Sequence, residues 1–81
     1  MVPSRLVNAR HARSLTQSQL AQRAKIADGG TVSRWERGET APSGDSLTKL
    51  ADALRVSLDW LSGKGDDAVP AIAEPEKGAA A

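Results

Sequence analysis

The sequence contains no cysteine, phenylalanine or tyrosine, and it has a single histidine, His11. Without cysteine there can be no disulfide scaffold and no thiolate metal site, and one histidine without a partner histidine argues against zinc. We therefore expect no metal and no other cofactor. The chain also lacks an apolar run near the roughly 20 residues that span a bilayer, and its N-terminus lacks a signal-peptide core. These absences predict a soluble, cytoplasmic protein that does not associate with membranes.

The length of 81 residues suffices for one compact domain. A domain of this size buries only about 60% of the surface that its unfolded chain exposes, so its stability margin is narrow. After residue 63 the composition changes to alanine, proline, glycine and acidic residues, with no apolar periodicity. We predict a folded domain over residues 1–63 and a flexible tail or linker over residues 64–81.

The net charge of +1 is small, but the charges are unevenly distributed. Residues 1–37 carry a net charge of +5, and residues 38–81 carry −4. The basic half is where a polyanion would bind. Its basic side chains are Arg5, Arg10, Arg13, Arg23, Lys25, Arg34 and Arg37.

Apolar residues recur at helical spacing throughout, and no segment alternates with the period of a strand, so the predicted fold class is all-α. Thr16 and Gln19 have the spacing of a capping box, flanked by Leu15 and Leu20 as a hydrophobic staple. The other expected caps are Ser4, Asp28, Ser43 and Ser57. The five predicted helices begin at Pro3-Ser4, after the Thr16 cap, at about Gly29, at about Gly44 and at Leu58. They end at about Arg13, Ala24, Arg37, Arg55 and Gly63.

The second and third predicted helices are short and are joined by a tight turn, and the third begins with small residues and carries arginine. This pattern is typical of a helix-turn-helix, in which the second helix of the pair enters the major groove. Three motifs occur in order: Thr-Gln-x-x-Leu-Ala from Thr16, Val-Ser-Arg-Trp-Glu-Arg-Gly from Val32, and Leu-Asp-Trp-Leu from Leu58.

With these motifs, residues 5–62 resemble the phage Cro/C1-repressor family, also called the XRE type. The resemblance implies a five-helix, lambda-repressor-like fold. It also implies a bacterial or phage-encoded regulator that binds a palindromic operator in double-stranded DNA as a homodimer. Trp60 and Leu61 would then be available to line the dimer contact.

One feature departs from the family pattern. Four residues separate Ala27 from Val32, where family members usually have three, and Lys25 replaces the usual turn glycine. We predict a turn that is one residue longer, with Asp28 at the cap position. The base-reading positions are then uncertain in register by one residue.

The resemblance implies three groups of functional residues. The expected base contacts are Gly29, Gly30, Thr31 and Arg34; the expected DNA backbone contacts are Gln17, Lys25, Arg37, Thr40 and Ser43. Arg10 and Glu36 match a pair that forms an internal salt bridge. An arginine can donate two hydrogen bonds to guanine O6 and N7, which makes Arg34 the main candidate for direct readout.

Two other interpretations stay open, and an enzymatic one is not favoured. No nucleophile with a base, carboxylate pair or phosphate-binding loop is present in the sequence, so we expect no enzyme. An antitoxin could use the same domain and bind a protein toxin through residues 64–81, where Val69 and Ile72 are the available aliphatic side chains. Alternatively, the chain is the DNA-binding fragment of a longer repressor, and its tail is a linker to a dimerisation domain.

Overall fold

A computed structural model describes residues 1–71 of the protein. Over this range the chain forms five α-helices and no strand, which confirms the predicted all-α class and five-helix arrangement. The helices are α1 (Pro3–Ala12), α2 (Gln17–Ala24), α3 (Gly29–Glu36), α4 (Gly44–Leu54) and α5 (Leu58–Ser62). None of them has the length and apolarity that crossing a membrane requires, within the residues described.

Hydrogen-bonding side chains cap the N-termini of four of the five helices. The Thr16 hydroxyl accepts from the Gln19 backbone N–H at 3.0 Å, and the Gln19 side chain accepts from the Thr16 N–H at 2.9 Å, which completes the predicted capping box. Asp28, Ser43 and Ser57 cap α3, α4 and α5 as expected. The expectation for Ser4 is wrong: α1 begins at Pro3, whose fixed φ and missing N–H suit the first helical position, and Val2 is the N-cap.

The core lies among all five helices. The side chains that are fully buried are those of Leu6, Leu20, Val32, Leu50, Leu54 and Leu61. Trp35 and Trp60 are also buried, each about 6% exposed. Since Trp60 and Leu61 contribute to this core, they are not available as the dimer contact suggested by the sequence.

The turn between α2 and α3 comprises residues 25–28, with Asp28 at the predicted cap position. Lys25 ends α2 in the left-handed conformation (φ 59°), and the Ile26 N–H donates to the Ala21 carbonyl at 2.8 Å. The turn therefore keeps a backbone that glycine would adopt more easily, although lysine occupies the position. Asp28 then begins α3, and Gly38 follows its end with φ 76°.

The segment after α5 contacts α1. Residues 64–70, here called the strap, supply the carbonyls of Lys64 and Gly65 to the Arg5 guanidinium, at 2.9 and 2.6 Å. Farther along, Arg13 donates to the Pro70 carbonyl at 2.8 Å. Thus the strap lies along α1 from near its start to its end. The domain boundary at residue 63 stays a prediction, and the rest of the predicted tail, 72–81, lies outside the described residues.

Candidate nucleic-acid interface

A largely buried ion pair fixes α3 against α1. Arg10 donates to both oxygens of the Glu36 carboxylate, from Nε at 2.6 Å and from Nη2 at 3.2 Å. Their side chains are only 12% and 7% exposed. Gln17, the first residue of α2, adds a third hydrogen bond to Glu36 at 2.9 Å. One carboxylate at the end of α3 therefore holds three helices together, and a charge-assisted network of this kind fixes the orientation of α3.

The opposite side of α3 is open to solvent. Val32 and Trp35 point into the core, and Gly30 and Arg34 lie on the opposite side of the helix, exposed to solvent. We call Asp28, Gly30, Thr31 and Arg34 the exposed α3 face. Thr31 is half-buried and the other three are exposed. This face contains three of the four residues expected to contact bases.

Gly29, the fourth expected base contact, lies against α2. A Cβ atom at this position would lie 2.8 Å from Ser18 Oγ, 3.0 Å from the Ser18 backbone nitrogen and 3.1 Å from its Cα. Two of these atoms are backbone and cannot rotate away. The missing side chain is what allows α3 to approach α2 this closely, which explains a glycine at a position where it is a poor helix former.

Replacing Gly29 with alanine is expected to destabilise the domain by about 1–3 kcal/mol, because α3 must shift away from Ser18. The matched control is Gly30→Ala, whose new Cβ would lie 3.3 Å from the movable Asp28 Oδ1. That variant should match or exceed the wild-type free energy of unfolding, measured by urea titration. Equal stability of the two variants would show that the α2–α3 approach does not depend on Gly29.

Arg37, an expected DNA backbone contact, is held in an exposed ion pair. Its Nε donates to Glu39 Oε2 at 2.7 Å, and its Nη1 also donates to the Ser33 hydroxyl. The hydrogen bond between the Arg37 and Glu39 side chains raises the pKa of Arg37 and holds the pKa of Glu39 below its usual range. Exposed pairs of this kind contribute at most about 1 kcal/mol, so a phosphate group can replace Glu39 as the partner.

The other expected backbone contacts divide between the two ends of α4. Thr40 and Ser43 are exposed and precede its N-terminus, and the Ser43 hydroxyl accepts from the Ser46 N–H at 3.2 Å. Lys25 instead lines a cavity with Asp52 and Arg55, at the C-terminal end of α4. Because an 11-residue helix is about 16 Å long, the structure does not bring Lys25 together with Ser43.

Arg5 and Arg13 have structural roles that the sequence did not indicate. Arg5 is only 5% exposed, donates to the Trp60 carbonyl at 2.9 Å, and lies 5.3 Å from the centre of the Trp60 ring. Arg13 donates to the Leu54 carbonyl at 2.7 Å and so caps the end of α4. The one available signal is the i, i+4 spacing of Arg5, Ala9 and Arg13 along α1.

A sequence model described as helix-turn-helix matches residues 6–61. The chain belongs to the helix-turn-helix family. The predicted membership in the Cro/C1-repressor type is confirmed by two relatives of the chain, a phage repressor and a bacterial transcriptional regulator. The chain is 38% identical over 63 residues to the cryptic phage CTXphi transcriptional repressor RstR of Vibrio cholerae. It is also 38% identical over 55 residues to the transcriptional regulator DicA of Escherichia coli.

These matches cover 78% and 68% of the helix-turn-helix chain, but only 55% of RstR and 40% of DicA. The chain thus spans about half the length of such relatives. Among solved structures, it is similar to the P22 c2 repressor in complex with synthetic operator 9T in the presence of Tl+. The TM-score is 0.73 at 33% identity, covering 82% of this chain and 97% of that one. The P22 c2 DNA-binding domain in solution gives a TM-score of 0.76 at 30% identity.

Proposed function

We propose that the chain is the DNA-binding part of a transcriptional repressor. In this proposal α3 enters the major groove of an operator, Arg34 contacts a guanine, and Thr31 and Gly30 lie against neighbouring base edges. Gln17, Arg37, Thr40 and Ser43 contact the DNA backbone. The observation that carries the proposal is the exposed α3 face, which presents a guanidinium to solvent on a helix anchored from behind by the buried Arg10–Glu36 pair.

The comparisons support this proposal. The P22 c2 repressor structure contains that repressor in complex with a synthetic operator, and the similarity covers most of this chain. The name of RstR describes a transcriptional repressor. Two residues expected to contact DNA are not part of the proposed interface. The Cβ direction of Gly29 faces α2, and Lys25 lies at the C-terminal end of α4.

We further propose that two copies bind a palindromic operator. Dimers of this type place their recognition helices about 34 Å apart, one turn of DNA. With Trp60 and Leu61 buried, the side chain that α5 offers to a second copy is Leu58, the exposed large hydrophobic residue of the described chain at 42% exposure. No observation favours the antitoxin alternative. Val69, one of its two aliphatic residues, packs against the core, and Ile72 lies outside the described residues.

Selection of binding sites from random duplexes at low salt tests the proposal. The wild-type chain is expected to enrich a palindromic sequence that contains guanine in each half-site. Arg34→Ala should lose the preference for that guanine, since a bidentate arginine–guanine contact contributes about 1–3 kcal/mol of discrimination. Gln17→Ala should instead weaken binding to all sequences alike, because phosphate contacts carry no sequence information.

Arg23→Ala is the matched control for loss of an exposed arginine. Arg23 lies in the last turn of α2 and lines the cavity near Lys49 and Arg55, away from the exposed α3 face. It should leave the enriched sequence and its affinity nearly unchanged. If the wild-type chain enriches no palindrome, the proposed function is wrong; if Arg34→Ala weakens binding equally on every sequence, Arg34 contacts phosphate only.

A further inference from the structure

The side chains at the start of α3 form a directed chain of hydrogen bonds. Thr31 donates its hydroxyl hydrogen to Asp28 Oδ1 at 3.0 Å, and its backbone N–H donates to the same oxygen at 2.9 Å. Arg34 Nη2 donates to the Thr31 hydroxyl oxygen at 3.4 Å. A hydroxyl has one hydrogen, so this oxygen acts as an acceptor toward Arg34. Asp28 therefore orients Thr31, and Thr31 in turn orients the guanidinium.

Asp28 is exposed to solvent. Both hydrogen bonds from Thr31 end on its Oδ1 atom. The bond from the Thr31 backbone N–H, followed by that from its hydroxyl, holds the pKa of Asp28 below its usual range. At neutral pH the exposed α3 face thus presents an ionised oxygen acceptor beside the Arg34 donors.

Gly30 leaves open the space between the Asp28 carboxylate and the Arg34 guanidinium. A Cβ atom at Gly30 would lie 3.3 Å from Asp28 Oδ1 and 4.0 Å from Arg34 Nη1. Any larger side chain would occupy the gap. A base edge with both a hydrogen-bond donor and an acceptor can bind both groups, its donor to the carboxylate and its acceptor to the guanidinium.

An anionic side chain on a DNA-binding face gains nothing from the phosphates, which repel it. In the major groove the hydrogen-bond donors are the exocyclic amino groups, N4 of cytosine and N6 of adenine. A G·C pair presents guanine O6 and N7 as acceptors and cytosine N4 as a donor on the same edge. The carboxylate and the guanidinium together match that pattern.

We propose that Asp28 is a specificity-determining residue that accepts a hydrogen bond through Oδ2 from an exocyclic amino group at, or next to, the base pair that Arg34 contacts. The inference rests on the proposed function, and it adds a residue that the family resemblance left as a cap. The two candidate donors of this hydrogen bond, cytosine N4 and adenine N6, are both amino groups, and the selected sequence distinguishes them.

Two substitutions separate base reading from helix capping, because serine and asparagine are both good N-caps. Asp28→Ser and Asp28→Asn should melt close to the wild-type temperature, and site selection is then repeated with each. We expect one cytosine or adenine position in the wild-type site to lose about tenfold of its preference in Asp28→Ser. Asp28→Asn should shift that position toward adenine, since asparagine binds adenine N6 and N7.

Asp52→Asn is the control for removal of an exposed carboxylate, because Asp52 lies near the C-terminal end of α4. It should leave every base preference unchanged. An enriched wild-type site whose preferences are identical in Asp28→Ser overturns this inference alone and leaves the proposed function standing. Failure of the wild-type chain to enrich any site overturns both.

Discussion

Replacing Glu36 with alanine is expected to destabilise the domain by about 3–5 kcal/mol, because the Arg10 guanidinium is left buried without its counter-charge. Arg10 would keep its hydrogen bond to the Leu15 carbonyl at 2.9 Å, but Gln17 would also lose its acceptor. The free energy of unfolding of a small domain is about 5–15 kcal/mol in total, so the loss is a large fraction of the stability. Urea unfolding followed by circular dichroism measures it.

Glu39→Ala is the matched control, since it removes a glutamate from an exposed ion pair with Arg37. Its cost should stay below about 1 kcal/mol. If both alanine variants unfold at the same urea concentration, the Arg10–Glu36 pair does not anchor α3, and the argument for a fixed exposed α3 face weakens with it.

The second large effect is expected from shortening the chain. A chain of residues 1–63 lacks the strap and therefore the Lys64 and Gly65 carbonyls and the Asp67 carboxylate that Arg5 contacts. The guanidinium would keep the Trp60 carbonyl and ring. Because hydrogen bonds to a charged group contribute about 1.5–3 kcal/mol each, we expect a loss of about 2–5 kcal/mol relative to residues 1–71.

Thermal unfolding of the two chains measures this difference. Asp67→Ala in the longer chain serves as the control, because the Asp67 side chain is 86% exposed and its ion pair with Arg5 is screened by water. That variant should melt near the wild-type temperature, so that the loss is assigned to the rest of the strap, its backbone carbonyls and the packing of Val69. Identical melting of residues 1–63 and 1–71 would place the end of the folded domain at residue 63.

The helices could be predicted because their start signals are local. Thr16 and Gln19 are three residues apart, and each serine or aspartate cap bonds to the N–H three residues after it. Such signals need no knowledge of the rest of the fold. The same holds for the exposed α3 face, since Val32 and Trp35 mark the buried side of the helix and the periodicity leaves Arg34 outside.

Long-range backbone contacts could not be predicted in the same way. Arg5 is held mainly by carbonyl oxygens about 60 residues away, and every residue has a carbonyl, so the sequence carries no mark of the partner. The role of Gly29 depends on a distance of a few ångströms between two helices. The prediction for Ser4 is wrong because two adjacent start signals, a proline and a serine, compete, and the proline determines the first residue of α1.

Three arginines, two in α1 and one at its C-cap, each hold a different part of the protein. Arg5 binds the strap, Arg10 binds Glu36 of α3, and Arg13 binds the carbonyl end of α4. Opening α1 would release all three at once. We therefore expect the hydrogen-bonded amides of α1 to exchange with solvent through opening of the whole domain, as one cooperative unit, rather than by fraying of the first helix.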